Sequence, residues 1–391
     1  MKSTGSGQYT PRRQPNWSGL RPPNIMTRIA RCAWLVLSIS AVVLRAQGEP
    51  AAIATRLDRI VDAGFKATRC PGLSVAVSTN NVIIYSKALG LADIEQNVPL
   101  RTDSAHRLAS LSKPVTGTII MDLAQSGRLK IDTPVKTYLA DLPAAYDRVT
   151  VRHLLSHQAG VRDYRDVAEV FSAVHYQTSR DALRAFVNDP LLFEAGTRTA
   201  YSTFGFTVVG AVAEAATQAT FQQISKEFFR RYSIRGFDLD DPEAIVTKRV
   251  RGYLVNKEGE ITNTAAYDAS NKYPGGGFTA SAEDYLRFVI AVASGQVLKP
   301  ETLQQSWTRQ KTPNGMDSPF GLGWGVSQLE GRKMVGFSGL QPSTTTSIHY
   351  IPSEGVGIVL LCNAEITNAE GDQDLSKLMT ELQAVLLPKP N

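Results

Sequence analysis

The sequence predicts an α/β fold in which one sheet is built from both ends of the chain around a helical middle. Short β-type runs follow Pro71-Gly72 near the start, and the same signal returns after residue 320. Helical periodicity dominates the segment between them, most clearly after Ser110. We therefore expect an α/β part of about residues 51–115 and 265–391, with a helical insertion of about residues 116–264.

Hydrophobic period and turn residues define the individual elements. The predicted strands are Leu73–Ser78, Val82–Ser86, Gly321–Gln328, Lys333–Phe337, Thr344–Ile351 and Val356–Asn363. The predicted helices are Leu57–Gly64, Ser110 to about Gly127, one opening with Val149–Leu155 and ending near Gly160, Asp181–Val187, Gly205–Thr217, Phe221–Tyr232 and Ala282–Ser294. From Asp163 to about Asp241 we expect a mostly helical chain.

The first 50 residues differ from the rest in charge and hydropathy. They hold seven of the 42 Lys and Arg and one of the 36 Asp and Glu, which leaves 35 of each sign elsewhere. The basic pI therefore does not indicate nucleic-acid binding. Residues 32–44 form an apolar run that is short for a membrane span but typical of a signal peptide. We expect Met26–Ala46 to direct export to the periplasm or medium; the alternative is a membrane anchor through residues 32–44.

Ser110 and Lys113 lie one helical turn apart at the start of the predicted helix, so their side chains share a face. A desolvated lysine can act as a base for a serine hydroxyl, and the free N–H groups of a helix start can face an oxyanion. The tetrapeptide alone is a weak signal, since Ser and Lys are common and it more often marks a helix cap followed by a surface lysine. Its context decides between the two.

Five segments, in order, resemble motifs of the serine β-lactamase and penicillin-binding-protein-like hydrolases of the class C type. They are Pro71–Val77, Arg107–Pro114, Thr150–Gly160, Glu194–Thr197 with Tyr201–Thr203, and Gly275–Phe278. The resemblance spans about Ala54 to Leu387. It implies a β-lactamase/transpeptidase-like fold, in which an antiparallel sheet is flanked by helices and a cleft separates it from an inserted helical domain.

The resemblance also implies roles for named side chains. Ser110 would be the acyl-accepting nucleophile, Lys113 would assist its deprotonation, and Tyr201 would be the second proton-transfer group. The substrate and oxyanion residues implied are Thr203, Ser338, Gly339 and Leu340. Among these, the backbone N–H groups of Ser110 and Leu340 would form the oxyanion hole. No metal and no organic cofactor is implied.

Two positions depart from the family pattern. Thr203 replaces the asparagine of Tyr-x-Asn, as it does in the mitochondrial β-lactamase-like serine protease branch, which this chain resembles most. Phe337-Ser338-Gly339 stands where the family has Lys-Thr-Gly or His-Thr-Gly, and phenylalanine offers a substrate carboxylate no charge or donor. We therefore expect an exported serine hydrolase that cleaves an ester or amide bond in a small molecule or peptide.

Two alternatives remain open at this point. A β-lactamase or D,D-carboxypeptidase would use the same acyl-enzyme chemistry on a different substrate. A catalytically silent binding or scaffolding protein, from another class, would keep the fold and lose the reaction. The oligomeric state leaves no mark in the sequence.

The cysteines and one histidine pair complete the candidates. Cys70 and Cys362 are expected to be small buried side chains, because they could pair only if the two ends of the folded part meet. His153 and His157, at i and i+4, could seat a metal, but no third ligand accompanies them. We expect a structural role for that segment.

Overall fold

The computed structural model describes residues 52–312, 315–366 and 369–387. The predicted leader Met26–Ala46, with its apolar run at 32–44, lies outside these residues. Within the described ranges, no helix combines the length and apolar character needed to cross a membrane.

The strands and helices that the sequence predicts occur in the predicted order, together with further short elements and the helix α11 that it does not predict. The strands are β1 Gly72–Thr79, β2 Val82–Asp93, β3 Val98–Pro99, β4 His106–Arg107, β5 Asp238–Leu239, β6 Tyr253–Val255, β7 Ile261–Asn263, β8 Phe278–Ala280, β9 Gly325–Leu329, β10 Arg332–Gln341, β11 Thr344–Ile351, β12 Val356–Cys362 and β13 Ala364–Ile366. The helices are α1 at 52–68, α2 Ser112–Gln125, α3 Val151–Leu155, α4 Val167–Val170, α5 Ser179–Ala182, α6 Thr203–Thr217, α7 Phe221–Arg231, α8 Tyr273–Gly276, α9 Ala282–Ala293, α10 Pro300–Ser306 and α11 Ala369–Leu386.

The central sheet is antiparallel and joins both ends of the folded chain. Its seven strands run in the order β3-β2-β1-β12-β11-β10-β9, and Leu73 of β1 pairs with Cys362 of β12. Every residue of β12 is buried, which is typical of a strand covered on both faces. Leu286 of α9 reaches Gly357 on one face, while Leu360 borders a cavity shared with α11 on the other. The predicted fold class, an antiparallel sheet flanked by helices, is confirmed.

Cys70 and Cys362 form a disulfide, so the expectation of two unpaired cysteines was wrong. Cys70 comes two residues before β1, and Cys362 is the last residue of β12. Because β1 and β12 are adjacent in the sheet, the two Cα atoms lie 5.9 Å apart, within the usual range for a disulfide. The two cysteines are 292 residues apart in the sequence, and only the strand order, with β1 beside β12, brings them together.

Three segments differ from the predicted secondary structure. The helix that opens at Val151 ends at Leu155 rather than near Gly160, because His157 takes a left-handed conformation with φ of 59°. Between residues 163 and 202 the chain is mostly loop, fixed by Arg162 through its ion pairs with Glu169 and Asp189. The terminal helix α11 was not predicted. The boundaries of the helical insertion at 116–264 stay a prediction.

Candidate active site

A short 3-10 turn, Ala109–Leu111, delivers Ser110 to the start of α2. Ala109 adopts a left-handed conformation with φ of 48°, which is uncommon for a residue with a Cβ and marks a backbone held in place by its surroundings. The neighbouring strand β8 supplies that hold, since Leu108 N–H donates to the Phe278 carbonyl at 2.9 Å. Ser110 is therefore presented, half-buried, on a fixed turn.

Lys113 is fully buried, and its ammonium reaches the nucleophile candidate. Its Nζ lies 3.1 Å from Ser110 Oγ, 2.8 Å from the Gly275 carbonyl oxygen and 3.4 Å from Thr203 Oγ1. Three acceptors for three donors satisfy an ammonium. Within the described chain it has no carboxylate partner within ion-pair distance. Its hydroxyl and carbonyl contacts hold Nζ where it can exchange a proton with Ser110.

Tyr201 is the second group in contact with the Ser110 hydroxyl. Its hydroxyl lies 2.5 Å from Ser110 Oγ, and its ring lies 4.7 Å from Lys113 Nζ. The next residue, Ser202, caps α6 by accepting from Gly205 N–H at 2.9 Å and donates to the Arg162 carbonyl at 2.8 Å. Anchoring of Ser202 thus fixes the tyrosine before it and the threonine after it. The structure brings all three predicted catalytic side chains together.

An aromatic cluster packs around Tyr201. His157, Phe320 and Phe337 form it, with the His157 ring 4.6 Å from the Tyr201 ring and the Phe337 ring 6.4 Å away. Burial lowers the pKa of His157 well below its usual value, and Lys113 adds to the effect. A neutral His157 accepts from Ser202 N–H through Nδ1 at 3.2 Å. The wall that Phe337 helps to form is therefore uncharged.

The predicted oxyanion residues lie on β10, directly against the turn that carries Ser110. A Cβ added to Gly339 would come within 2.9 Å of both Ser110 N and the Leu108 carbonyl, closer than real Cβ atoms approach. Thr346 Oγ1 donates to the same Leu108 carbonyl at 2.9 Å. Glycine at 339 thus lets the strand backbone touch the turn. Leu340, the next residue, borders one cavity with Ser110.

A family model described as Beta-lactamase matches residues 57–379. The chain belongs to the β-lactamase family. It is a serine hydrolase of that family, and the resemblance inferred from the sequence motifs is confirmed.

Two sequence relatives and one solved structure are similar to this chain. The human serine β-lactamase-like protein LACTB, mitochondrial, is 26% identical over 75% of this chain and 74% of its own length. Esterase EstB of Burkholderia gladioli is 29% identical over 72% of this chain and 80% of its own. The solved octameric penicillin-binding protein homologue from Pyrococcus abyssi has a TM-score of 0.70 at 20% identity, covering 85% of this chain and 79% of that one.

Leu340 lines two cavities, which divide the other predicted substrate residues between them. A cavity of about 210 Å³ is lined by Ser110, Thr203 and Leu340. A larger one of about 770 Å³ is lined by Ser338, Gly339 and Leu340 and lies between the sheet and α11. Thr203 therefore borders the nucleophile, whereas Ser338 faces the second space.

The histidine pair at 153 and 157 is divided between two structural tasks. His153 Nδ1 accepts from Thr150 N–H at 3.3 Å in the capping box of α3, whereas His157 packs on Tyr201. The described residues contain no group of three or more His, Cys, Asp or Glu side chains placed to hold a metal ion. The segment positions the Tyr201 loop, since Ala200 N–H donates to the His157 carbonyl at 2.9 Å.

Sequence reasoning missed three side chains at the site: Lys272, Phe320 and Glu365. Lys272 and Glu365 line the small cavity with Ser110, and Phe320 completes the aromatic cluster. Only Lys272 carried a signal, a lysine three residues before the predicted Gly275–Gly277 turn. Phe320 and Glu365 stand in ordinary surroundings that mark neither of them.

Proposed function

We propose that this chain hydrolyses an ester or amide bond through an acyl-enzyme on Ser110. One observation carries the proposal: Ser110 Oγ lies within hydrogen-bond distance of both Lys113 Nζ, at 3.1 Å, and Tyr201 OH, at 2.5 Å. A serine placed between two groups that can exchange protons is the arrangement that nucleophilic catalysis needs.

The reaction follows in two halves. Ser110 Oγ attacks the substrate carbonyl carbon while its proton passes to the neutral amine of Lys113 or to the phenolate of Tyr201, the forms that have a lone pair to accept it. The carbonyl oxygen becomes an oxyanion facing the N–H groups of Ser110 and Leu340. Collapse breaks the bond to the leaving group, which departs with the transferred proton. Water then attacks the acyl-enzyme in the same manner, so that the acid is released and the serine proton returns.

A β-lactamase or D,D-carboxypeptidase activity is the alternative of the same chemistry. Phe337 argues against it, because a phenyl ring in an uncharged wall gives a β-lactam carboxylate nothing to bind at that position. Phe337→Lys restores the family cation. Turnover of a chromogenic cephalosporin by this variant, and not by the wild type, would support the argument; equal turnover in both would refute it.

The mass of the intact protein after incubation with a fluorophosphonate tests the role of Ser110. We expect one adduct on the wild type and none on Ser110→Ala. Ser126→Ala, at the other end of α2, is the matched control and should label like the wild type. A folded wild type that takes no label would overturn the proposal and favour a silent scaffolding protein. An adduct that persists on Ser110→Ala would assign the nucleophile elsewhere.

We also propose that the protein is exported or membrane-anchored. The basic and apolar pattern of residues 26–46 supports this address, as does the Cys70–Cys362 disulfide, since such bonds persist mainly in oxidising compartments. The human relative's name places that protein in mitochondria. Fractionation of bacterial cells that express the protein tests this proposal, and we expect to recover the protein in the periplasm, the medium or the membrane fraction. Recovery in the cytosol with free thiols would contradict the proposal.

A further inference from the structure

Lys272 is a buried cation at the edge of the candidate active site. It precedes α8, the short helix whose Gly275 carbonyl accepts from Lys113, and only 1% of its surface is exposed. It lines the cavity of about 210 Å³ that contains Ser110. A buried ammonium is costly unless it is paired, so its partners need an account.

The partners of Lys272 in the described chain satisfy only part of its charge. Nζ donates to the Val170 carbonyl at 2.7 Å and lies 5.2 Å and 4.9 Å from the rings of Tyr164 and Tyr267. An ammonium has three donors, and one is used in a hydrogen bond. Across the described residues, no carboxylate lies within ion-pair distance of it. Val170 and Tyr164 line the same cavity, so the cavity is the side from which an anion can reach Nζ.

We propose that Lys272 binds a carboxylate of the substrate in the small cavity beside Ser110. The inference rests on the proposed function and narrows it to esters or amides that carry a carboxylate near the scissile bond. The volume of the cavity falls below the ~300–1,000 Å³ of whole ligand sites, which suits one small charged group rather than a whole substrate. The positive charge that Phe337 cannot supply would thus come from Lys272, which precedes α8.

Both cations and carboxylates lie around Lys272. Burial, followed by the nearby Arg107, lowers the pKa of Lys272 to about 8, which a bound carboxylate would reverse. Glu365 lines the same cavity, and burial raises the pKa of its carboxyl. The charged and titratable groups around Lys272 are Arg107, Lys113, Asp163, Tyr164, Asp240, Tyr267 and Glu365.

Two matched pairs of esters test the inference. In the first, 4-nitrophenyl hydrogen adipate and its methyl ester differ by a carboxylate on the acyl side. In the second, 3-acetoxybenzoate and its methyl ester differ by a carboxylate on the leaving group. We expect kcat/KM to favour the carboxylate in one pair, and Lys272→Met to reduce that preference about 10- to 100-fold through KM. Lys226→Met, which removes an exposed lysine on α7, should leave the preference intact.

The outcomes separate a binding role from a structural one. If Lys272→Met slows charged and neutral esters equally, the lysine merely holds the fold, and the inference is wrong. A wild type that shows no preference in either pair also overturns it, even if the variant fails to fold.

Calorimetry keeps the test independent of turnover. Ser110→Ala should bind 3-acetoxybenzoate more tightly than its methyl ester, and adipate more tightly than dimethyl adipate. Ser110→Ala/Lys272→Met should lose both differences. If no ester is hydrolysed but this binding is present, the proposed function fails and the carboxylate site stands. If esters are hydrolysed and Ser110→Ala binds charged and neutral compounds alike, the proposed function stands and the carboxylate site is wrong.

Discussion

Lys272→Met is expected to leave the fold as stable as the wild type or more stable, although it removes a buried hydrogen bond. The pKa of Lys272 falls from 10.5 to about 8 on folding, chiefly through burial. At about 1.4 kcal/mol per pKa unit, the ammonium destabilises the folded chain by about 3 kcal/mol at pH 7. Loss of the donor to the Val170 carbonyl offsets about 1–3 kcal/mol of the gain. The free energy of unfolding should therefore rise by about 0–2 kcal/mol.

The pH dependence of this difference has a definite sign. Between about pH 8 and pH 10, the unfolded chain keeps the Lys272 proton that the folded chain has lost, so this group makes the wild type more stable as pH rises. Methionine has no such contribution. The advantage of the variant over the wild type should shrink by about 1 kcal/mol between pH 7 and pH 9.

Urea unfolding followed by circular dichroism measures both quantities, with the disulfide intact at each pH. Lys226→Met is the control for removal of one positive charge, and its difference from the wild type should be small at both pH values. A loss of more than about 2 kcal/mol in Lys272→Met at both pH values would refute the reasoning. The ammonium would then stabilise the fold through Val170 and the tyrosine rings, rather than serve as a binding site for an anion.

Three further predictions concern the site and the sheet. Tyr201→Phe should lower kcat for an ester about 100- to 10,000-fold with little change in KM, measured by steady-state kinetics, and equal rates would remove the tyrosine from proton transfer. Gly339→Ala should abolish fluorophosphonate labelling, because its Cβ collides with the turn that carries the nucleophile; Gly205→Ala, whose Cβ would meet nothing closer than 3.5 Å, should label normally. Cys70→Ala should lower the free energy of unfolding by about 2–5 kcal/mol, matching the reduced wild type; no loss would show that the link to Cys362 is dispensable.

Strands with strong local signals could be read from the sequence, whereas features set by tertiary contacts could not. The run Val356–Cys362 is apolar throughout because both faces of β12 are covered, and that pattern is visible in one dimension. The disulfide depends on β1 and β12 becoming neighbours, which no local pattern states. The end of α3 depends on the left-handed conformation of His157, a residue with no helix-stop signature.

The terminal helix α11 could have been predicted. Leu375, Leu378, Met379 and Leu382 recur at the spacing of one helical face, and all four are buried. The loops between residues 163 and 202 could not, because ion pairs of Arg162 with two distant carboxylates fix them rather than any hydrophobic period. Charged side chains that organise a loop look the same in sequence as charged side chains on a surface.

The location of charge around the nucleophile explains why the site was only partly predicted. Sequence motifs named Ser110, Lys113 and Tyr201, and the fold places Ser110 Oγ within hydrogen-bond distance of both Lys113 Nζ and Tyr201 OH. The same motifs drew attention to the missing cation at Phe337, and so to uncharged substrates. Burial reveals what the motif comparison does not, a second cation at Lys272 that lines the nucleophile's own cavity. A substrate whose carboxylate bound to Lys272 would reach Ser110 from the side of α8 instead of from β10. Such a substrate should differ in shape from one held by a cation at position 337.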